Sequence, residues 1–247
     1  MKRVLLTVIL SAAALASAQT SPAAPPTKAA TQAPAKSATT GGLEAVLNDM
    51  DRAAAGFRSA QADFVWDQFS KVVNDHDLQK GAIYYRLQNK EVQMAADIQQ
   101  PAKKYVLFSG GKVEVYQPEI DQVTEYNAGK NKAEFESFLV LGFGGRGHDL
   151  AKSFEVHYDG AENVDGVQAA KLTLLPKAAK VKGMFSQIIL WIDPARGISV
   201  QQQFIEPSGD YRLAKYTNIK LNQKLSDAAF KLNTTGKTKW VRPQQAG

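Results

Sequence analysis

The chain has 247 residues, 44% of them hydrophobic, a formal net charge of +6 and no cysteine. Without cysteine it can carry neither a disulfide scaffold nor a lipid on a cysteine thiol, so stability in an oxidising compartment has to come from a core. The pI of about 9.3 invites a nucleic-acid reading, but the charge sits in the wrong place for one. Removing Lys2, Arg3, Lys28 and Lys36 takes the net charge from +6 to +2, and removing Lys231, Lys237, Lys239 and Arg242 takes it to −2. A nucleic-acid binder needs its basic stripe on the folded body. Basic termini suit export, solubility or loose attraction to anionic surfaces instead.

Residues 1–18 read as a secretory signal peptide: Lys2 and Arg3, an apolar run from Val4 to Leu15, then Ala16 and Ala18 ahead of cleavage. An apolar run of about a dozen residues is too short to span a bilayer, which takes about twenty. Residues 19–42 contain only Ala, Pro, Thr, Ser, Gln, Lys and Gly and are expected to form a flexible spacer, because they bury too little apolar surface to offset the entropy of ordering. Residues 43–233 are long enough for one domain with a substantial core, and 234–247 form a basic tail.

Leu43, Val46, Leu47, Met50, Ala53, Ala54 and Phe57 follow the spacing of one helical face, which predicts an amphipathic helix ending near Gly56. The pattern then changes to period two. Strands are expected over 61–71, 81–88, 91–99, 103–109, 112–117, 122–126, 153–158, 168–175, 184–192, 198–206 and 210–220, joined by turns such as Asn89-Lys90, Gly110-Gly111 and Asp159-Gly160. Short connections between successive strands define an antiparallel meander. Val92, Met94, Ala96 and Ile98 alternate with polar residues, so that strand has one covered face. In 184–192, Phe185, Ile189 and Trp191 are expected to point inward, and the intervening Ile188, Leu190 and Ile192 make the strand central and covered on both sides. Residues 131–154 interrupt the meander with a short helix bearing Phe135, Phe138, Leu139 and Phe143, a glycine-rich turn and a second helical turn. A mainly β (α+β) architecture follows: a large curved antiparallel sheet with helical pieces on its concave side, enclosing apolar space where a hydrophobic ligand fits.

Catalytic signatures are missing. Gly142, Gly144 and Gly147 match the G-x-G-x-x-G spacing, but no parallel strand and crossover helix flank them, so a hinge after a helix is the better reading. His76, His148 and His157 stand apart rather than at metal-ligand spacing, so no metal and no cofactor is expected. There is no phosphate-binding loop, no nucleophile elbow and no zinc motif.

Longer motifs carry a resemblance. The stretch Gln100 to Pro118 reads as proline, strand, Ser-Gly-Gly turn and a strand ending Val115-Tyr116. Leu174-Leu175-Pro176 precedes the strand Phe185 to Asp193, and Ser226 to Leu232 closes the domain. In that order over 43–232, these motifs resemble the LolA-type periplasmic carriers of outer-membrane lipoproteins. The resemblance implies an unclosed β-barrel with a helical lid over a cavity for acyl chains, and lipidated proteins as cargo. It also implies an inner-membrane lipoprotein-releasing transporter and an outer-membrane acceptor as partners, a monomeric state and periplasmic location. The candidate lining is Met50, Phe57, Phe64, Trp66, Met94, Ile98, Phe108, Phe135, Phe138, Leu139, Phe185, Ile189 and Trp191. Each alone is equally explained as core, and only the group points to a cavity. Gly142, Gly144 and Gly147 are the candidate hinge. Arg86 is the nearest equivalent of the family's lid-linked arginine, although no proline follows it; an ion-paired or exposed strand residue is its other reading. A sensor of stray lipid or lipoprotein that signals to a protein partner would use the same fold.

Overall fold

The computed structural model describes residues 38–88, 91–127, 139 and 141–243. The expected signal peptide, the Asn89-Lys90 turn and the lid residues Phe135 and Phe138 lie outside them. The predicted helix is present as α1, Ala38–Gly56, and starts five residues earlier than its apolar face suggested, so 38–42 belong to it and not to a spacer. Among the described residues, two short helices with defined bounds follow, α2 (Gly147–Ser153) and α3 (Ala179–Lys182).

All eleven predicted strands exist. They are β1 (Ser59–Ser70), β2 (Asp75–Gln88), β3 (Glu91–Gln100), β4 (Lys104–Ser109), β5 (Lys112–Gln117), β6 (Gln122–Asn127), β7 (Phe154–Val164), β8 (Val167–Pro176), β9 (Gln187–Asp193), β10 (Ile198–Ile205) and β11 (Tyr211–Leu221). A twelfth, β12 (Lys239–Val241), was not foreseen. They form one sheet in the order β12-β6-β5-β4-β3-β2-β1-β11-β10-β9-β8-β7, so the sheet ends in two free edges and does not close into a barrel. Every neighbouring pair is antiparallel except β12 with β6.

Two boundaries differ from expectation for identifiable reasons. β2 begins at Asp75 and not at 81, because β1 pairs along its whole length from Ser59↔Arg86 to Ser70↔Asp75; backbone pairing continues through a polar stretch that period-two reading cannot see. The expected turn at Asp159-Gly160 is a bulge inside β7, where the register shifts between Tyr158 and Ala161 and Gly160 takes φ +93°.

The face that carries α1, here the inner face, is apolar along the sheet. At one end Val46, Leu47 and Met50 of α1 pack on Leu172, Leu174, Ile188, Leu190 and Ile192 of β8 and β9. Each of those five strand residues is fully buried, worth about 1.5–3 kcal/mol relative to exposure. At the other end, residues from β1 to β5, β10 and β11 converge with Phe143 in a second cluster. Ile189 and Trp191 do not belong to either. They lie on the outer face in a third cluster with Val164, Ala169 and Val200, which corrects their predicted inward direction. The parity of β9 is set by Ile188, Leu190 and Ile192, which face α1. β9 is indeed buried on both faces, but it stands third from the β7 edge and not at the centre.

The outer face of β2 to β6 is crossed by the chain after β11. Phe230, in a 3-10 turn at Asp227–Phe230, packs with Leu225 and Leu232 against Ala95 and Leu107. Asp121 accepts hydrogen bonds from Thr235 Oγ1 (3.2 Å), Thr238 Oγ1 (2.6 Å) and Tyr116 Oη (3.1 Å), and β12 then joins the β6 edge. Phe230→Ala is expected to cost about 3 kcal/mol, measured by urea denaturation. Trypsin should then cut at Lys224, Lys231 and Lys237 well before it cuts the sheet.

Candidate functional site

The site is the part of the inner face that α1 leaves uncovered. Phe64 and Trp66 of β1 stack at 4.1 Å between ring centroids. They alternate inward with Ala62, opposite Ile83 of β2, which in turn faces Ala96 of β3. Tyr85↔Met94 and Met94↔Phe108 continue the same row to β4. On the other side of β1, Trp66 pairs with Ala214 and Phe64 with Tyr216. The chain returns over this surface at Leu139 and at 141–144. Phe143, 1% exposed, stacks on Tyr85 at 5.1 Å and meets Tyr216 edge-on at 4.8 Å.

A cavity of about 140 Å³ remains beside this aromatic group. Its apolar wall is Trp66, Ile83, Met94, Leu139, Phe204, Leu213 and Ala214, and its polar groups are Asp67, Gln68, Gln202, Arg212 and the tyrosines Tyr85 and Tyr216. Burial pushes the phenols of Tyr85 and Tyr216 above their ordinary range, so both stay neutral hydrogen-bonding groups. An apolar cavity near 150 Å³ is enough for a benzene-sized guest, so the space admits a stretch of one acyl chain and not several chains side by side.

The predicted lining divides by position. Phe64, Met94, Ile98 and Phe108 sit in the inner cluster, with Phe57, Trp66 and Leu139 packed on it; of these, Trp66, Met94 and Leu139 line the cavity itself. Met50 and Phe185 belong to the cluster under α1 and Ile189 and Trp191 to the outer face, so these four are core. Tyr85, Phe143, Gln202, Arg212 and Tyr216 escaped the sequence reading as site residues. The available signal was parity, since Arg212, Ala214 and Tyr216 alternate along β11 in step with Trp66 and Phe64.

Arg86 is on the wrong face for a lid contact. Its guanidinium donates to Gln93 Oε1 (2.6 Å) and Asp227 Oδ1 (2.5 Å) and lies 4.1 Å from the Phe230 ring centroid, so it fastens the C-terminal segment to the outer face. Arg86 and the inward residue Tyr85 are neighbours in β2, and period two sends them to opposite sides.

In this structure the glycines are points of close contact. Gly142 and Gly144 have φ +75° and +84°, and side chains there would also collide with Ser199 and with the Phe57 ring. A Cβ on Gly147 would lie 2.5 Å from the Leu47 carbonyl oxygen, so its lack of a side chain lets α2 touch α1. The turn is bolted to β10 as well: Ser199 N–H donates to the Gly142 carbonyl (2.8 Å) and Gln202 Nε2 to that of Leu141 (2.5 Å).

His148 completes the joint between α2 and α1. Its Nδ1 is 2.8 Å from Asp51 and its Nε2 is 3.2 Å from Glu44, with Arg146 3.7 Å from Asp51. The hydrogen bonds to Asp51 and Glu44 raise the His148 pKa above 6.5. Desolvation pushes the Asp51 carboxyl up, but His148 outweighs it and the net shift is downward. Among the described residues no group of His, Asp and Glu is arranged to hold a metal ion.

An open, almost wholly antiparallel sheet that keeps an apolar hollow on its helix-covered face defines a half-barrel fold. The family profile "Outer membrane lipoprotein carrier protein LolA" matches residues 55–233, and the chain belongs to that family. A search of curated proteins finds no match. Among solved structures, an uncharacterised conserved protein from Thermus thermophilus aligns at 13% identity with a TM-score of 0.53, covering 81% of this chain and 98% of that one. MucB aligns at 14% identity and TM-score 0.52, over 82% of this chain and 66% of that one. The Pseudomonas aeruginosa MucA/MucB complex gives 15% identity and TM-score 0.49, over 78% of this chain, which spans only 61% of its counterpart there. The similarities to the Thermus thermophilus protein and to MucB establish a shared fold. No helix among the described residues is long and apolar enough to cross a membrane.

Two outcomes test the joint. Because the folded pKa of His148 is raised, its stabilisation is complete below about pH 6.5 and is lost as pH rises through the raised value; Asp51 contributes above 3.8 and fails only in acid. The Tm should therefore fall as pH is raised above about 6.5 in the native chain and less so in His148→Gln. Gly147→Ala should force α2 off α1 and lower stability by about 1–3 kcal/mol in a urea titration.

Proposed function

We propose that this protein is a periplasmic carrier that shields an acyl chain of a lipidated protein during transit between membranes, and that it performs no catalysis. The observation that carries the reading is the cavity: within a LolA-family domain, an apolar wall of Trp66, Ile83, Met94, Leu139 and Phe204 surrounds space open to a guest. Each methylene removed from water contributes about 0.8 kcal/mol, so even a chain partly inserted is held with useful affinity. The signal-like leader supports export, with an inner-membrane lipoprotein-releasing transporter as donor and an outer-membrane acceptor as recipient.

A carrier has to release what it binds, and the small volume suits that need: a chain held along part of its length leaves more readily than one fully enclosed. A regulatory module that senses stray lipid and reports to a protein partner would use the same cavity. Native mass spectrometry of protein purified gently from periplasm distinguishes the two, with co-purifying lipoprotein expected for a carrier and a persistently empty protein favouring the regulator. In a displacement assay with a fluorescent fatty acid, Leu139→Glu should weaken binding about tenfold or more, while Gln168→Glu, at an exposed position that does not line the cavity, should leave it unaltered. Equal behaviour of the two variants would overturn the acyl-binding reading.

A further inference from the structure

The cavity wall changes character within one step of the pleat. Trp66 pairs with Ala214 across β1 and β11, and two residues further along Gln68 pairs with Arg212. All four line the cavity, so an apolar stretch runs directly into a polar end. At that end the Gln68 side-chain oxygen is buried and has no hydrogen-bond partner among the described residues. A buried acceptor left unmade in this way is costly unless a ligand supplies the donor. Arg212 sits opposite, its side chain 21% exposed, with Glu206 at 3.5 Å, the outer limit of a hydrogen bond. Desolvation lowers its pKa, countered by Glu206. A guanidinium presents five N–H donors in a fork, so it can serve protein acceptors and a ligand oxygen together.

We propose that Gln68 and Arg212 form a headgroup seat, and that the cavity takes a single-chain amphiphile whose anionic headgroup also carries a hydroxyl, the chemistry of a lysophospholipid. The acyl chain lies against Trp66, Met94, Leu139 and Phe204. A phosphate oxygen accepts from Arg212, and the glycerol hydroxyl donates to the Gln68 oxygen. This rests on the acyl-cavity reading and narrows it: one chain, because the space holds no more, and a charged polar end, because a guanidinium at the rim of an apolar cavity bonds an anionic oxygen more strongly than a neutral one.

Three ligands with the same sixteen-carbon chain separate the contributions: palmitoyl lysophosphatidate (charge and hydroxyl), palmitate (charge alone) and monopalmitoylglycerol (hydroxyl alone). Their affinities are read by displacement of a fluorescent fatty acid from the full mature protein. In the native chain lysophosphatidate should bind about tenfold tighter than monopalmitoylglycerol, with palmitate between them. Arg212→Gln should bring that ratio close to one, and Arg212→Lys should restore most of it. A ratio near one in the native chain, which needs no variant to fold, overturns the proposal while leaving acyl binding intact. An unchanged ratio in folded Arg212→Gln overturns it too. A native protein that binds none of the three overturns the acyl-cavity reading itself, and this proposal with it.

Discussion

An antiparallel sheet that does not close leaves an entire apolar face to be covered, and here one helix is too short for the task. α1 buries Val46, Leu47 and Met50 on β8 and β9, where the strands offer fully buried aliphatics and nothing polar. Beyond its reach the inner face turns aromatic, with Phe64, Trp66, Tyr85 and Tyr216 gathered round Phe143. Rings are larger and stiffer than aliphatic chains, and they fill a concave surface less completely. The cavity is thus a consequence of leaving the sheet open beyond the reach of α1.

The edges of such a sheet are also exposed to pairing with other chains. One edge is closed from within: β12 runs parallel to β6 through Lys239↔Gln122 to Val241↔Thr124, held in place by the Asp121 hydrogen bonds and by the Arg86 and Phe230 contact. Arg242 donates to Glu125 at 3.0 Å beyond it. The other edge, β7, carries Glu155, His157, Asp159 and Glu162 with a bulge at Gly160, and charge with irregular pairing is what discourages a strand from adding there. Arg242, one of the basic tail residues that inflate the pI, is thus structural: with Lys112 of β5 it answers Glu125.

The eleven main strands and α1 were legible in the sequence because period two and period 3.6 were each sustained over several residues. β12 was not, since three residues give no periodicity and its pairing partner is more than a hundred positions away. Inward direction was legible where only one face is apolar, as at Met94 and Ile98, and failed in β9, where Ile188 to Ile192 are apolar throughout and parity has to come from the neighbour across the sheet. The glycine spacing at Gly142, Gly144 and Gly147 was visible, but what fills the space beside each glycine is a tertiary fact. Arg86 shows the same limit, because its partners Asp227 and Phe230 are remote in sequence.

Fixing the glycine turn changes where the cavity can open. Leu141 and Gly142 are hydrogen-bonded to β10, Gly144 is packed on Phe57 and Gly147 on α1, so this return of the chain is anchored at several points. The apolar wall beneath it is built from strands paired on both sides and cannot part without losing ladder hydrogen bonds. Among the described residues, what remains is the end of the cavity at Gln68 and Arg212, where the wall is polar. On the proposed acyl-binding function, a guest entering there would pass its chain inward over Trp66 and rest with its polar end at the threshold, leaving a linked headgroup or peptide directed outward toward solvent.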